Sequence, residues 1–164
     1  MWFSDRRRFL TGAAALAALS GCGFRPVYGP DGAGTALRGA IRLDDPASAA
    51  DYAFLAAFED RLGRPTAPRY ALAYRIEQSS TGAGIVQNFG ATRVQVAGVV
   101  HYTVTDIAIG RERAAGRVDA SVSYSTTATQ LASQAAAEDA EQRLLRMLAD
   151  RLVTRIYTEP GLQA

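Results

Sequence analysis

The sequence contains no lysine: all 18 basic residues are arginine, set against 16 acidic residues, and there is one cysteine, one histidine and one tryptophan. Each shortage removes a class of protein. A lone cysteine, Cys22, excludes a disulfide scaffold and any cysteine-based metal site. With His101 as the sole histidine, multi-histidine metal centres go too. No Gly-rich phosphate loop, no G-x-S-x-G elbow and no H-E-x-x-H is present. His101 falls in the middle of a strand-like stretch among Thr and Gln, which reads as a solvated strand position. Glu138, Asp139 and Glu141 are neighbours on one helical face and read as a wet surface rather than an acid/base pair. The chain is therefore expected to be no enzyme and to need no metal or cofactor. The use of arginine alone suits phosphate and carboxylate partners, because its planar fork matches their geometry.

What is present begins with the first 22 residues. Arg6, Arg7 and Arg8 precede an apolar segment, Leu10–Leu19, which is far short of the about 20 apolar residues that span a bilayer. It ends in Leu19-Ser20-Gly21-Cys22, a small-residue run closed by cysteine. This is the pattern of a removed export signal whose cut exposes a cysteine for acylation. Lipidation also accounts for a free thiol that has no disulfide partner. Several acyl chains on one residue hold a protein stably at a membrane surface, whereas one chain does so marginally. Arg6-Arg7-Arg8-Phe9-Leu10 also fits the twin-arginine pattern of export in the folded state, as well as an ordinary secretory signal.

Removal of residues 1–21 leaves 143 residues, enough for one domain with a real core. The signal takes three arginines and one acid with it, so the mature chain carries fifteen of each sign. A balanced chain lacks the concentrated positive face of a nucleic-acid binder. Residues 22–35 read as a tether: Gly23-Phe24-Arg25-Pro26-Val27-Tyr28-Gly29-Pro30 favours extended and turn conformations. Its aromatics, Phe24 and Tyr28, are candidates for partner contact or for the headgroup level of a membrane, where aromatic rings are favoured.

The domain is expected over residues 36–158, with 159–164 as a tail. Leu37, Gly39, Ile41 and Leu43 alternate as in a half-buried strand. A helix over about 50–62 follows, with Asp45 or Ser48 as its cap, Phe54, Leu55, Phe58 and Leu62 on one face, and Gly63 ending it. Three strands come next. Tyr70, Leu72, Tyr74 and Ile76 mark the first, and Ser79–Gly84 reads as a polar connection to a less regular segment, Ile85–Gly90. Val94, Val96, Val100, Tyr102 and Val104 mark the second; Val118, Ala120, Val122 and Tyr124 mark the last. From about Leu131 to Tyr157 the chain is helical, with Leu145, Leu148, Leu152 and Ile156 as its apolar stripe and Asp139–Arg143 as an i,i+4 pair. The expected fold is α+β, a two-layer sandwich in the order β-α-β-β-β-α. Its four-stranded mixed sheet should carry both helices on one face, an antiparallel meander and a parallel first strand. Arg111, Arg113 and Arg117 are expected to cluster on the connection before the last strand, with Arg93 at the far end of the preceding one. They are candidates for charge-assisted contacts with lipid phosphates.

Cys22 with Gly23-Phe24-Arg25-Pro26-Val27-Tyr28-Gly29, together with Ala136-Ala137-Glu138-Asp139-Ala140-Glu141-Gln142-Arg143 and Leu148-Ala149-Asp150-Arg151-Leu152, resembles the LPS-assembly lipoprotein family LptE. The resemblance covers the mature chain in the order and number of its elements. It implies a lipoprotein of the outer membrane, on its periplasmic face. Such a protein plugs and helps assemble the β-barrel LptD and binds lipopolysaccharide on its way to the outer leaflet. Gly23, rather than an aspartate, follows the cysteine, which fits outer-membrane sorting. The competing reading is an auxiliary lipoprotein of a lipid-transporting ABC system, of similar size, anchor and build. A lipid-anchored cell-wall enzyme is a third, for which no nucleophile or metal set is present.

Overall fold

The computed structural model describes residues 27–29, 32–86, 90–127 and 129–162. A short helix α1 (Ala33–Leu37) leads into strand β1 (Ile41–Leu43) and helix α2 (Ala49–Leu62). Strands β2 (Tyr70–Val86), β3 (Gly90–Asp106) and β4 (Arg111–Ser125) follow, then helix α3 (Gln130–Thr158) and a 3-10 turn, Pro160–Leu162. The four strands form one sheet in the order β1-β2-β3-β4. Strand β1 runs parallel to β2 and the other pairs are antiparallel, so the expected mixed sheet and meander are both present.

Local chemistry explains the helix ends. The Ser48 hydroxyl accepts from the Asp51 amide while the Asp51 carboxylate accepts from the Ser48 amide, a reciprocal capping box. At the other end Gly63 sits at φ 78°, a region that costs a side chain, and donates its N–H to the Glu59 carbonyl. On α3 the whole expected stripe of Leu145, Leu148, Leu152 and Ile156 is buried, joined by Ala140, Leu144, Ala149, Val153 and Tyr157. Asp139 and Arg143 pair at 2.9 Å.

Both helices cover the same face of the sheet. That face presents Tyr70 and Leu72 from β2, Val100, Tyr102 and Val104 from β3, and Ala114, Val118 and Ala120 from β4, all buried in one cluster with Phe54, Phe58 and the α3 leucines. Gly98 permits the close approach of α3. A Cβ there would lie 2.8 Å from Leu148 Cδ1 and 3.2 Å from Leu144 Cδ2, so a larger residue forces at least the Leu148 side chain to shift.

Three expectations are corrected. Leu37 does not begin a strand; it closes α1, and β1 is only three residues long. Its alternation with Ile41 arises because a helix end and a strand both bury their apolar residue across the turn at Gly39, φ 68°. Ser79–Gly84 is no connection, since β2 runs on through it with Ser79 opposite Ala97 and Gly82 opposite Val94. Polarity there marks two solvated faces, not a loop. Finally, Arg111, Arg113 and Arg117 lie on β4 itself, because the β3–β4 link is only Ile107 to Gly110. The ladder is irregular between Val104 and Thr105: Val104 faces Ala114 and Thr105 faces Glu112, leaving Arg113 as an extra residue.

Candidate functional site

The second face of the sheet is uncovered. Along β2, β3 and β4 the residues that alternate with the core are Ala71, Ala73, Arg75 and Glu77, then Ala97, Val99, His101 and Thr103, then Ala115, Arg117 and Asp119. Register places Arg75 opposite His101 and His101 opposite Arg117, a row of three basic side chains across adjacent strands. Strands lie about 4.8 Å apart, so the row spans roughly 10 Å. Glu77 borders it: Arg75 Nη2 is 2.7 Å and His101 Nε2 is 4.0 Å from its carboxylate. Small residues beside the row, Ala73, Ala115 and Gly116, leave a shallow depression of about 450 Å³. An anionic group of phosphate size fits the chemistry of this row, through Arg117 above all, which is exposed.

The four arginines singled out from the sequence are not brought together. Arg117 belongs to the row just described. Arg93 is exposed near the opposite end of β3, opposite Ala83 and Ser125. It lies eight positions from His101, about 26 Å at the rise of a strand. Arg111 is exposed at the start of β4, opposite Asp106. Arg113 is committed elsewhere, donating from Nε and Nη2 to Asp106 at 3.4 and 3.2 Å. Asp106 is only 4 % exposed and also accepts the Ala108 amide, so the pair locks the β3–β4 turn. An aspartate opening a turn and bonding two residues on is a local signal that the sequence carries. Its pairing with Arg113 across an irregular ladder is not. Arg75 and His101 were missed as site residues because only register unites them with Arg117.

Cys22 and Phe24 lie outside the described residues. Tyr28 does not: its ring meets Tyr157 of α3 edge-on at 5.9 Å, with the two hydroxyls 3.4 Å apart. Burial, aided by the Tyr28 hydroxyl, holds the Tyr157 phenol far above its ordinary value. The Gly34 amide donates to the Val27 carbonyl at 2.9 Å, which fastens the tether onto α1. Nearby, Arg61 of α2 forks onto Asp150 of α3 at 2.7 and 3.0 Å. The same end is closed by the Tyr102 hydroxyl donating to Glu159, which an i,i+4 ion pair with Arg155 at 2.7 Å holds in place.

Among the described residues no group of three His, Cys, Asp or Glu is placed to hold a metal, and no described helix is long and apolar enough to cross a membrane. The model of the lipopolysaccharide-assembly family LptE matches residues 34–156. Three solved structures are similar in fold. A protein of Caulobacter crescentus CB15 described as a lipoprotein has TM-score 0.62 at 22% identity, covering 77% of this chain and 93% of its own. Lipoprotein B of Nitrosomonas europaea has TM-score 0.57 at 10% identity, with 75% and 86% covered. Rare lipoprotein B of Shewanella oneidensis has TM-score 0.55 at 11% identity, with 71% and 91% covered. No curated protein sequence matches the chain.

Proposed function

The chain belongs to the LptE lipopolysaccharide-assembly family, and on that premise we propose that it is an outer-membrane lipoprotein that pairs with an LptD-type β-barrel. It helps that barrel assemble and takes part in moving lipopolysaccharide to the outer leaflet. The observation that carries this reading is the family match, which takes in nearly all of the sandwich from α1 to the end of α3. Acyl chains on Cys22 hold the domain at the periplasmic face of the membrane. The role is structural and non-catalytic.

The open sheet face supports the lipid-handling part of the reading. Lipid phosphates are bound by the row of Arg75, His101 and Arg117, where planar guanidinium groups supply charge-assisted hydrogen bonds. Arg93 and Arg111 stand as separate exposed cations toward opposite ends of the long strands. Arg113 leaves the candidate set, because removing it from Asp106 would strand a buried carboxylate.

The test is affinity purification of the C-terminally tagged protein from outer membranes in mild detergent, with mass spectrometry of what stays bound. Stoichiometric recovery of an LptD-type barrel, a fall in assembled barrel on depletion, and an acylated Cys22 are expected. An unlipidated monomer without a barrel would overturn the reading. Recovery with an ABC complex instead would return the chain to the auxiliary class.

A further inference from the structure

One end of the sandwich gathers features that neither the core nor the open sheet face explains. Tyr70 starts β2 opposite Asp106, which ends β3 opposite Arg111 of β4. Beyond them the Ile107 amide donates to the Arg69 carbonyl, and the Arg69 amide donates to the Ala40 carbonyl. The Gly39 amide donates to the Leu62 carbonyl, and α1 holds Val27 through Gly34. The β3–β4 turn, the ends of α1 and α2 and the tether thus form one continuous surface.

That surface is apolar where solvent would favour polar residues. Turns favour Gly, Pro, Asn, Asp and Ser. Here Ile107 is 47% and Ile109 62% exposed, with Tyr28 at 67% and Val27 at 38% on the tether. The other large apolar side chains exposed among the described residues, Tyr52, Leu131 and Met147, stand apart on the helices. Exposed arginines surround the tip: Arg38 after α1, Arg69 before β2 and Arg111 after the turn. The acids at this end are mostly engaged, Asp106 by Arg113, Glu59 by Arg64 and Glu159 by Arg155. Asp60 and Glu112 remain exposed.

We propose that this end is a membrane-apposed surface, in which the Ile107–Ile109 turn enters the headgroup region of the bilayer beside the lipid-anchored tether. Only four residues lie between Cys22 and Val27, a reach of at most about 18 Å. Acyl chains on Cys22 therefore bring this end, and not the far end of the β2–β3 hairpin, against the lipid. Aliphatic side chains at that depth leave water, tyrosine is at home at the interface, and arginines extend their charged heads to lipid phosphates. The inference rests on the acyl-anchor reading of Cys22.

The test uses the full chain, expressed with its signal and reconstituted into vesicles of phosphatidylethanolamine and phosphatidylglycerol. Ile109→Trp and Leu131→Trp report the two ends, because the one native tryptophan, Trp2, departs with the signal. Both positions are exposed, and unchanged circular dichroism confirms that each variant folds. The expected result is a blue-shifted emission at position 109, quenched by brominated acyl chains, and the emission of a water-exposed indole at position 131. Water-exposed emission from both in protein whose Cys22 is acylated by intact mass overturns this proposal and leaves the anchor standing. An unacylated Cys22 overturns the anchor; a blue shift at position 109 in that unacylated protein keeps the membrane-apposed end, and water-exposed emission there overturns both. Shielding of position 109 only when a β-barrel co-purifies assigns this end to the protein partner instead.

Discussion

The two faces of the sheet are made by the same three long strands, yet they differ in everything but backbone. On one face Leu72, Val100, Val104 and Ala120 are sealed beneath α2 and α3; on the other, one residue away along each strand, stand Ala73, Arg75, His101 and Arg117. The period of two in a strand makes this division absolute, since a slip of one residue would exchange the faces. The difference separates two tasks. The covered face determines whether the domain exists, and the uncovered face is free to hold residues that packing does not need.

Substitutions on the two faces should therefore differ in size and kind. The largest loss is expected from Leu148→Ala, which empties a fully buried site between α3 and the sheet and should cost about 2 to 5 kcal/mol in chemical denaturation. Gly98→Ala adds a methyl group where Leu148 and Leu144 already press, and should cost about 1 to 3 kcal/mol. That result would show the close approach of α3 to be a requirement and not an accident.

Tyr74→Phe sharpens the comparison from the boundary between the faces. The Tyr74 ring packs on Phe54 at 5.1 Å, but its hydroxyl is buried without a partner. Removing it should be neutral or stabilising by up to about 1 kcal/mol near neutral pH. Burial pushes the phenol up to about 12, from an ordinary 10.0. The folded state therefore holds the proton more tightly than the unfolded one. The associated stability is complete below pH 10 and is lost as pH rises through 12. The phenylalanine variant should lose less stability over that window, measured by denaturation at a series of alkaline pH values.

The smallest effect on stability is expected from Arg75→Gln with Arg117→Gln, within about 0.5 kcal/mol, because exposed charges contribute little to folding. The same pair should weaken retention of anionic lipid by the purified protein. A large fall in stability would show that the open face is structural after all.

Much of the covered face was legible from the sequence. Phe54, Phe58 and Leu62 at helical spacing, and the alternations in β2 to β4, report burial directly, and burial is a local property of a periodic element. Strand length was less legible. Ser79 to Gly84 is polar because neither face is covered there, so the absence of alternation resembled a loop. Leu37 misled in the opposite direction, since α1 and β1 happen to bury residues at even spacing. The arginines show why a binding face is harder to read than a core. Arg111, Arg113 and Arg117 are close in sequence but have three different surroundings, while Arg75, His101 and Arg117 are remote in sequence and adjacent across strands. Only the register, set by many weak pairings at once, converts one kind of proximity into the other.

The contact of Tyr28 with Tyr157 joins residues 129 positions apart. It makes the domain a ring in which the first described residues wait for the last helix. A chain growing from its N-terminus can form the β2–β3 hairpin early, from neighbours, but cannot seat its tether until α3 is complete. Until then the apolar face of the sheet has only α2 to cover it. Closure of the ring therefore has to wait for the C-terminal helix, because one of its two partners lies there.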